Sequence, residues 1–324
     1  MQRPAVTHVV ILDGTLSSLR EQRRSHAGMT FELLNELPAS PSLRVRYEEG
    51  IQWLTWGSLV DVIAGRGLTQ QIRRTYSFIA SRYRPGDRIF LFGFSRGAYA
   101  VRSLAGVIDQ IGLLRPECAT ERNIRRVFRF YRDAPDSGEA QHMRRDFCHA
   151  STQIEMIGVW DTVKSLGIPY PLLWRLAPRP VDFHNHALGA STLNGFHALA
   201  LHENRRAFTP VMWESRPDWT GTLEQVWFRG SHGDVGGFIG SYERARPLAN
   251  ISLVWMLDKA ENCGLPLPEG WRKRFPRDAN APAHGTLRGS SKYFILRRAR
   301  QILYDPSEKL HPSTQPGWVP DDKS

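Results

Sequence analysis

Arg88-Ile89-Phe90-Leu91-Phe92-Gly93-Phe94-Ser95-Arg96-Gly97-Ala98-Tyr99 decides the reading of this chain. Arg88 to Phe94 is almost wholly apolar and aromatic, as expected of a strand buried on both faces of a parallel sheet. Ala98 to Ile111 reads as a helix that stops at Gly112. Between them lies Gly93-Phe94-Ser95-Arg96-Gly97. A G-x-S-x-G match alone arises by chance in about a tenth of chains this long, from average Gly and Ser usage. Its setting carries the weight, because a strand that turns abruptly into a helix is the nucleophile-elbow arrangement. There the serine takes a strained backbone conformation, and Gly93 and Gly97 let the helix pack close to the strand. The turn raises the Ser95 hydroxyl at the carboxyl edge of the sheet and aims the Arg96 amide at a developing oxyanion. The competing reading of Ser95 is a helix cap.

Working outward, Val6 to Leu12 is a β-branched run that stops at Asp13-Gly14-Thr15 and reads as a strand with a tight turn. Thr30 to Leu37 has a helical pattern, Arg44 to Tyr47 alternates like a strand, and Ile72, Tyr76, Ile79 and Ala80 fall at helical spacing within Leu68 to Tyr83. Ile154 to Trp160 and Leu223 to Phe228 are further strands. Leu193 to Leu201 and Ile251 to Glu261 are read as helices. This alternation predicts an α/β fold, α/β-hydrolase-like, with a mainly parallel doubly wound sheet and helices on both faces. One domain over residues 1–304 is expected, with a lid-like insertion at about 167–190, followed by a loose Pro- and Lys-bearing tail over 305–324.

An activated serine needs a base, and the base needs an orienting acid. In this fold the chain order is Ser, then Asp or Glu, then His, on loops after successive strands. Asp161 directly follows the Ile154–Trp160 strand. His232 follows the Leu223–Phe228 strand, inside Gly230-Ser231-His232-Gly233-Asp234-Val235-Gly236-Gly237. Asp161 is the favoured acid, while the neighbouring Asp234 would orient the imidazole or brace the glycine-rich loop. His184, His186, His197 and His202 lie in or near the insertion and the segment after it, where a structural role is commoner. Asp13-Gly14-Thr15 also resembles the signature of haloacid-dehalogenase-type phosphatases. Their nucleophilic aspartate stands two positions earlier, where this chain has Ile11, which cannot form an acyl phosphate. In a hydrolase the same turn, supported by Asp13, supplies a second oxyanion-hole amide from Gly14 or Thr15.

Composition is that of an ordinary globular chain: 324 residues, 41% hydrophobic and 23% charged. Three widely spaced cysteines argue against a disulfide framework or a thiolate zinc site. The net charge of +11 fits either a solubilising surface or an anionic partner such as a membrane surface. None of the nucleic-acid motifs occurs, so no nucleic-acid partner is expected. The opening apolar segment is too short for a signal-peptide core, and no apolar stretch is long enough to span a bilayer. A cytoplasmic location is expected, with export by a signal-less secretion system left open.

Four blocks recur together in one order: Phe92 to Tyr99, Gly158-Val159-Trp160-Asp161-Thr162-Val163, His197-Ala198-Leu199-Ala200-Leu201, and Val226-Trp227-Phe228 with His232 to Gly237. They resemble the bacterial and fungal α/β-hydrolase domain family that includes type VI secretion phospholipase effectors. The resemblance covers roughly Val6 to Leu257. It implies a Ser95–Asp161–His232 hydrolase acting on esters, lipid esters in the studied branch, with no metal or organic cofactor. Three positions depart from the family pattern: Leu16 where Trp is usual, His202 where an acidic residue is common, and Gly233 where Ser follows the histidine. The alternatives are a thioesterase or amidase, or a catalytically silent hydrolase-fold binding module with a basic face. Trp53, Trp56, Leu172, Leu173 and Trp174 would line an acyl pocket, touch lipid, or simply pack a loop onto the core.

Overall fold

The computed structural model describes residues 3–51, 66–163, 187–288 and 294–320. The elements run β1 (Thr7–Leu12), α1 (His26–Asn35), β2 (Leu43–Glu48), α2 (Arg66–Ala80), β3 (Arg88–Phe94), α3 (Arg96–Gln110), α4 (Glu121–Asp133), α5 (Gly138–Phe147), β4 (Ile154–Trp160), β5 (Asn194–Ala200), β6 (Thr222–Phe228), α6 (His232–Val235), α7 (Arg246–Asn262) and β7 (Glu308–Leu310). Among the described residues the strands form one sheet in the order β2-β1-β3-β4-β5-β6-β7, and every neighbouring pair is parallel. This is the doubly wound α/β architecture that the alternating pattern predicts.

The period-two alternation of the central strands divides the core. Val10 and Leu12 of β1 and Leu91 of β3 pack with Ile72 and Tyr76 of α2 and Val101 and Leu104 of α3. Val9, Ile11, Phe90 and Phe92 point to the opposite face, against Leu33 of α1 and Leu253, Val254 and Leu257 of α7. Strands with apolar residues on both sides bury both faces, so their hydrophobic runs are nearly continuous.

The order also locates the site. After β1 the chain goes outward to β2, then returns across β1 to β3, so the winding direction reverses between β1 and β3. Ligand crevices in open α/β sheets lie at the carboxyl ends of the strands flanking such a reversal. Asp13-Gly14-Thr15 leaves β1 and Ser95 leaves β3 on the two sides of it.

Two expectations are corrected. Leu193 to Leu201, read as a helix, is strand β5, paired in register to β4 and β6. A short apolar run has no polar face to reveal its period, and strand pairing on both edges decides the outcome. The stretch 305–324, read as a loose tail, supplies β7, with Gln225, Val226 and Trp227 facing Glu308, Lys309 and Leu310. The Trp227 indole donates to Glu308 at 2.8 Å, and a three-residue edge strand leaves little trace in composition. Most of the insertion at about 167–190, with Leu172, Leu173, Trp174, His184 and His186, and also Trp53 and Trp56, lies outside the described residues.

Candidate active site

The elbow forms because β3 ends where α3 must begin, with no residue to spare. Ser95 sits at φ 57°, ψ −118°, a region that costs an L-residue about 1–3 kcal/mol and persists only where the surroundings impose it. The surroundings here are close-packed backbone. A Cβ on Gly93 would come within 2.6 Å of the Ala98 Cα, and one on Gly97 would collide with the Leu12 carbonyl. The Ser95 amide donates to the Trp160 carbonyl at 3.0 Å, tying the turn to the end of β4.

Asp161 follows Trp160, and His232 opens α6 after β6. The structure brings both to Ser95. Ser95 Oγ is 2.9 Å from His232 Nε2, and Asp161 Oδ2 is 2.6 Å from His232 Nδ1. All three residues are buried. With Asp161 ionised, Nδ1 carries the proton and donates to it, leaving the Nε2 lone pair to accept from the serine hydroxyl. The imidazole is held between two aromatic rings, Phe94 at 4.8 Å and Phe208 at 4.9 Å between centroids. Its backbone amide donates to Glu203 Oε2 at 3.1 Å, and Glu203 is itself paired with Arg205.

Burial alone would raise the Asp161 carboxyl. The Arg300 charge, with hydrogen bonds from His232 and Arg300, overrides that and holds it well below the usual carboxylate range. The acid is therefore an anion throughout the working pH range. Arg300 reaches it from far along the chain, Nη1 on Oδ1 at 2.6 Å and Nη2 on Oδ2 at 2.9 Å. The Ala200 amide also donates to Oδ1 at 3.0 Å.

Asp234 does not touch the imidazole through its side chain. It accepts from the Ser231 amide and hydroxyl at 2.8 and 2.7 Å and from the amides of His284 and Gly285. It braces the turn that carries His232. His197 is a core histidine: its Nε2 accepts from the Thr162 amide at 3.1 Å and its Nδ1 faces Gln225. Burial and then the Arg102 charge push it down to about 3, so it stays neutral. His202 accepts from the Gly230 amide at 3.1 Å.

Asp13 is also buried. Its carboxyl accepts from the Gly14 amide at 2.7 Å, Ser25 Oγ at 2.6 Å and Tyr47 OH at 2.7 Å. This corrects the expectation for Gly14, whose amide is turned back onto Asp13 and so is not free for an oxyanion. The Thr15 amide makes no hydrogen bond among the described residues. The Arg96 amide, first in α3, has no acceptor in its own helix. The Arg96 side chain, not singled out in the sequence, is buried, and its Nε and Nη2 have no partner among the described residues. Burial lowers its guanidinium to about 9, which leaves it charged at neutral pH.

The family model described as T6SS, phospholipase effector Tle1-like, catalytic domain matches residues 7–259. The chain belongs to that family. The Tle1-like match begins with β1 and ends within α7, so it spans Ser95, Asp161 and His232 and stops short of Arg300. An uncharacterized Saccharomyces cerevisiae protein, YEL023C, is 27% identical over 186 residues, 49% of this chain and 27% of the yeast protein. A solved structure of the Tle1 effector bound to the VgrG spike of the type 6 secretion system shows 20% identity and a TM-score of 0.41, over 72% of this chain and 51% of that one. The Tle1-like chain thus spans about a quarter of the length of the yeast relative and about half that of the effector.

Sequence reasoning missed Arg300, Phe208 and Glu203. No motif marks them, because each acts through where its loop is folded. Among the described residues no group of three or more His, Cys, Asp or Glu is arranged to hold a metal ion, and no helix is long and apolar enough to cross a membrane.

Proposed function

We propose that this Tle1-like chain is a serine hydrolase that cleaves a carboxylic ester of a phospholipid through an acyl-enzyme. The Ser95–His232–Asp161 chain of hydrogen bonds at the carboxyl edge of the sheet carries this reading. His232 Nε2 takes the Ser95 proton as Oγ attacks the ester carbonyl carbon, and Asp161 stabilises the imidazolium that forms. The amides of Arg96 and Thr15 are the donors for the oxyanion. His232 then passes its proton to the leaving alcohol, and in the second half-reaction it deprotonates the water that releases the fatty acid.

The head-group side of the proposal is supported by Arg96. A buried guanidinium whose Nε and Nη2 have no partner among the described residues, one residue from the nucleophile, suits a phosphate better than a neutral substrate. Attraction to an anionic membrane surface, and synthesis in the cytoplasm with signal-less export, belong to the same proposal. Incubation with a fluorophosphonate probe and with a phospholipid panel tests it. The wild-type chain should label and should release fatty acid, whereas Ser95→Ala should fold normally and do neither. Labelling of Ser95→Ala at the wild-type rate, or more than about a tenth of wild-type hydrolysis in that variant, excludes Ser95 as the nucleophile.

A further inference from the structure

In a Ser-His-Asp arrangement the acid holds the imidazole in its tautomer and orientation, so whatever fixes the acid fixes the base. Here Asp161 is gripped on both oxygens by a guanidinium from a distant part of the chain. Arg300 is itself buried at its head, and it also donates to the carbonyls of Ala200 and Phe208 at 2.9 and 2.6 Å. The segment that carries it is fastened to the loop after β5. Arg206 N donates to the Leu296 carbonyl and Arg298 N to the Asn204 carbonyl, Arg297 Nη1 reaches Asn204 Oδ1 at 2.7 Å, and Phe294 packs edge-on to Phe208 at 5.2 Å. That same loop holds Glu203 under the His232 amide and Phe208 over its ring.

We propose that Arg300 is a positioning residue for the hydrolysis assigned above. It locks the rotation of the Asp161 carboxylate and so fixes the direction in which the His232 imidazole is held toward Ser95. The inference rests on the Ser95–His232–Asp161 reading.

The test uses the full chain and a short soluble ester, with kcat and KM measured per active site titrated with the fluorophosphonate. Arg300→Gln removes both the charge and the two-pronged grip and should lower kcat about tenfold or more while KM stays within about twofold. Arg300→Lys keeps the charge but not the two-pronged grip, and its kcat should fall about fivefold or more with KM within about twofold. A residue that merely held the fold together would lower the active fraction and leave kcat per active site unchanged. Should Arg300→Gln fail to fold, the Lys variant decides alone, and wild-type kcat per active site in it overturns the proposal. Wild-type kcat per active site in Arg300→Gln overturns it as well. A wild-type chain that neither labels nor hydrolyses overturns the hydrolase reading and this inference with it, whereas an active wild type with unmoved variants overturns only this inference.

Discussion

Asp161 Oδ2 lies 2.6 Å from His232 Nδ1, although 71 residues separate the two in sequence and the whole of β5 lies between their strands in the sheet. The contact chooses the tautomer of the imidazole. Asn at position 161 keeps the shape but offers an N–H or a neutral carbonyl, and the imidazole can then sit with its proton on Nε2, facing Ser95. Asp161→Asn should lower kcat for a soluble ester by about three to four orders of magnitude. Rates within tenfold of wild type would show that Asp161 does not orient His232.

On the proposed reading, Arg96 would serve head-group recognition and not the chemistry. Arg96→Met leaves the backbone amide in place and removes a buried charge whose Nε and Nη2 have no partner among the described residues. The variant should lose about tenfold or more in kcat/KM on an anionic phospholipid while staying within about threefold on a short neutral ester. Its thermal midpoint should hold or rise, because taking a charge out of water costs stability. Equal losses on both substrates would place Arg96 outside head-group recognition.

Asp13 makes the β1 turn sensitive to pH. Burial pushes its carboxyl up from 3.8 to about 6, against the hydrogen bonds from Ser25, Tyr47 and Gly14. The folded chain thus holds this proton more tightly than the unfolded chain. The stability it contributes is fully present below the unfolded value near 3.8 and is lost as pH rises through about 6. Asp13→Asn has no such proton, so its melting temperature relative to wild type should climb between these two pH values and then level off. A difference that stays flat across that interval would mean the Asp13 carboxyl is not raised.

The basic surface has a location. On α4, Ile124, Val127, Phe128 and Tyr131 turn inward, which leaves Arg122, Arg125, Arg126 and Arg129 along a surface groove of about 700 Å³. An adjoining groove of about 680 Å³ adds Arg46, Arg73, Arg74 and Arg82. Each arginine near an anionic membrane is worth about 1 kcal/mol, so replacing the exposed Arg122, Arg125 and Arg129 by Gln should weaken binding to phosphatidylserine vesicles by about a hundredfold. The salt dependence of binding should flatten with it, and turnover of a soluble ester should not change. Vesicle binding that survives the triple variant would make this face a solubilising surface only.

What the sequence determined by itself is everything whose cause is local. An apolar run that ends in Gly-x-Ser-x-Gly has to bend where it does, because only glycine at 93 and 97 lets α3 cross the strand ends. Asp161 and His232 could be singled out because Asp161 follows a strand directly and His232 lies in the short loop after another, and in a parallel sheet every strand end arrives at the same edge. The pattern of buried faces likewise placed β1, β3, β4 and β6 before any pairing was known.

Tertiary structure decided what depends on partners distant along the chain. Leu193 to Leu201 is a strand because β4 and β6 offer hydrogen bonds on both of its edges, something a run without period cannot announce. Gly14 and Thr15 looked equivalent until the Asp13 carboxyl captured one of their amides. The arginine clusters, scattered in sequence, become one face only when α2 and α4 lie side by side. Arg300 stands 139 residues from Asp161, on a stretch whose sequence shows no periodicity to mark it. A single long side chain can find a buried carboxylate from any loop the fold brings near, so its role is settled by where the chain closes on itself and by nothing in its immediate neighbours.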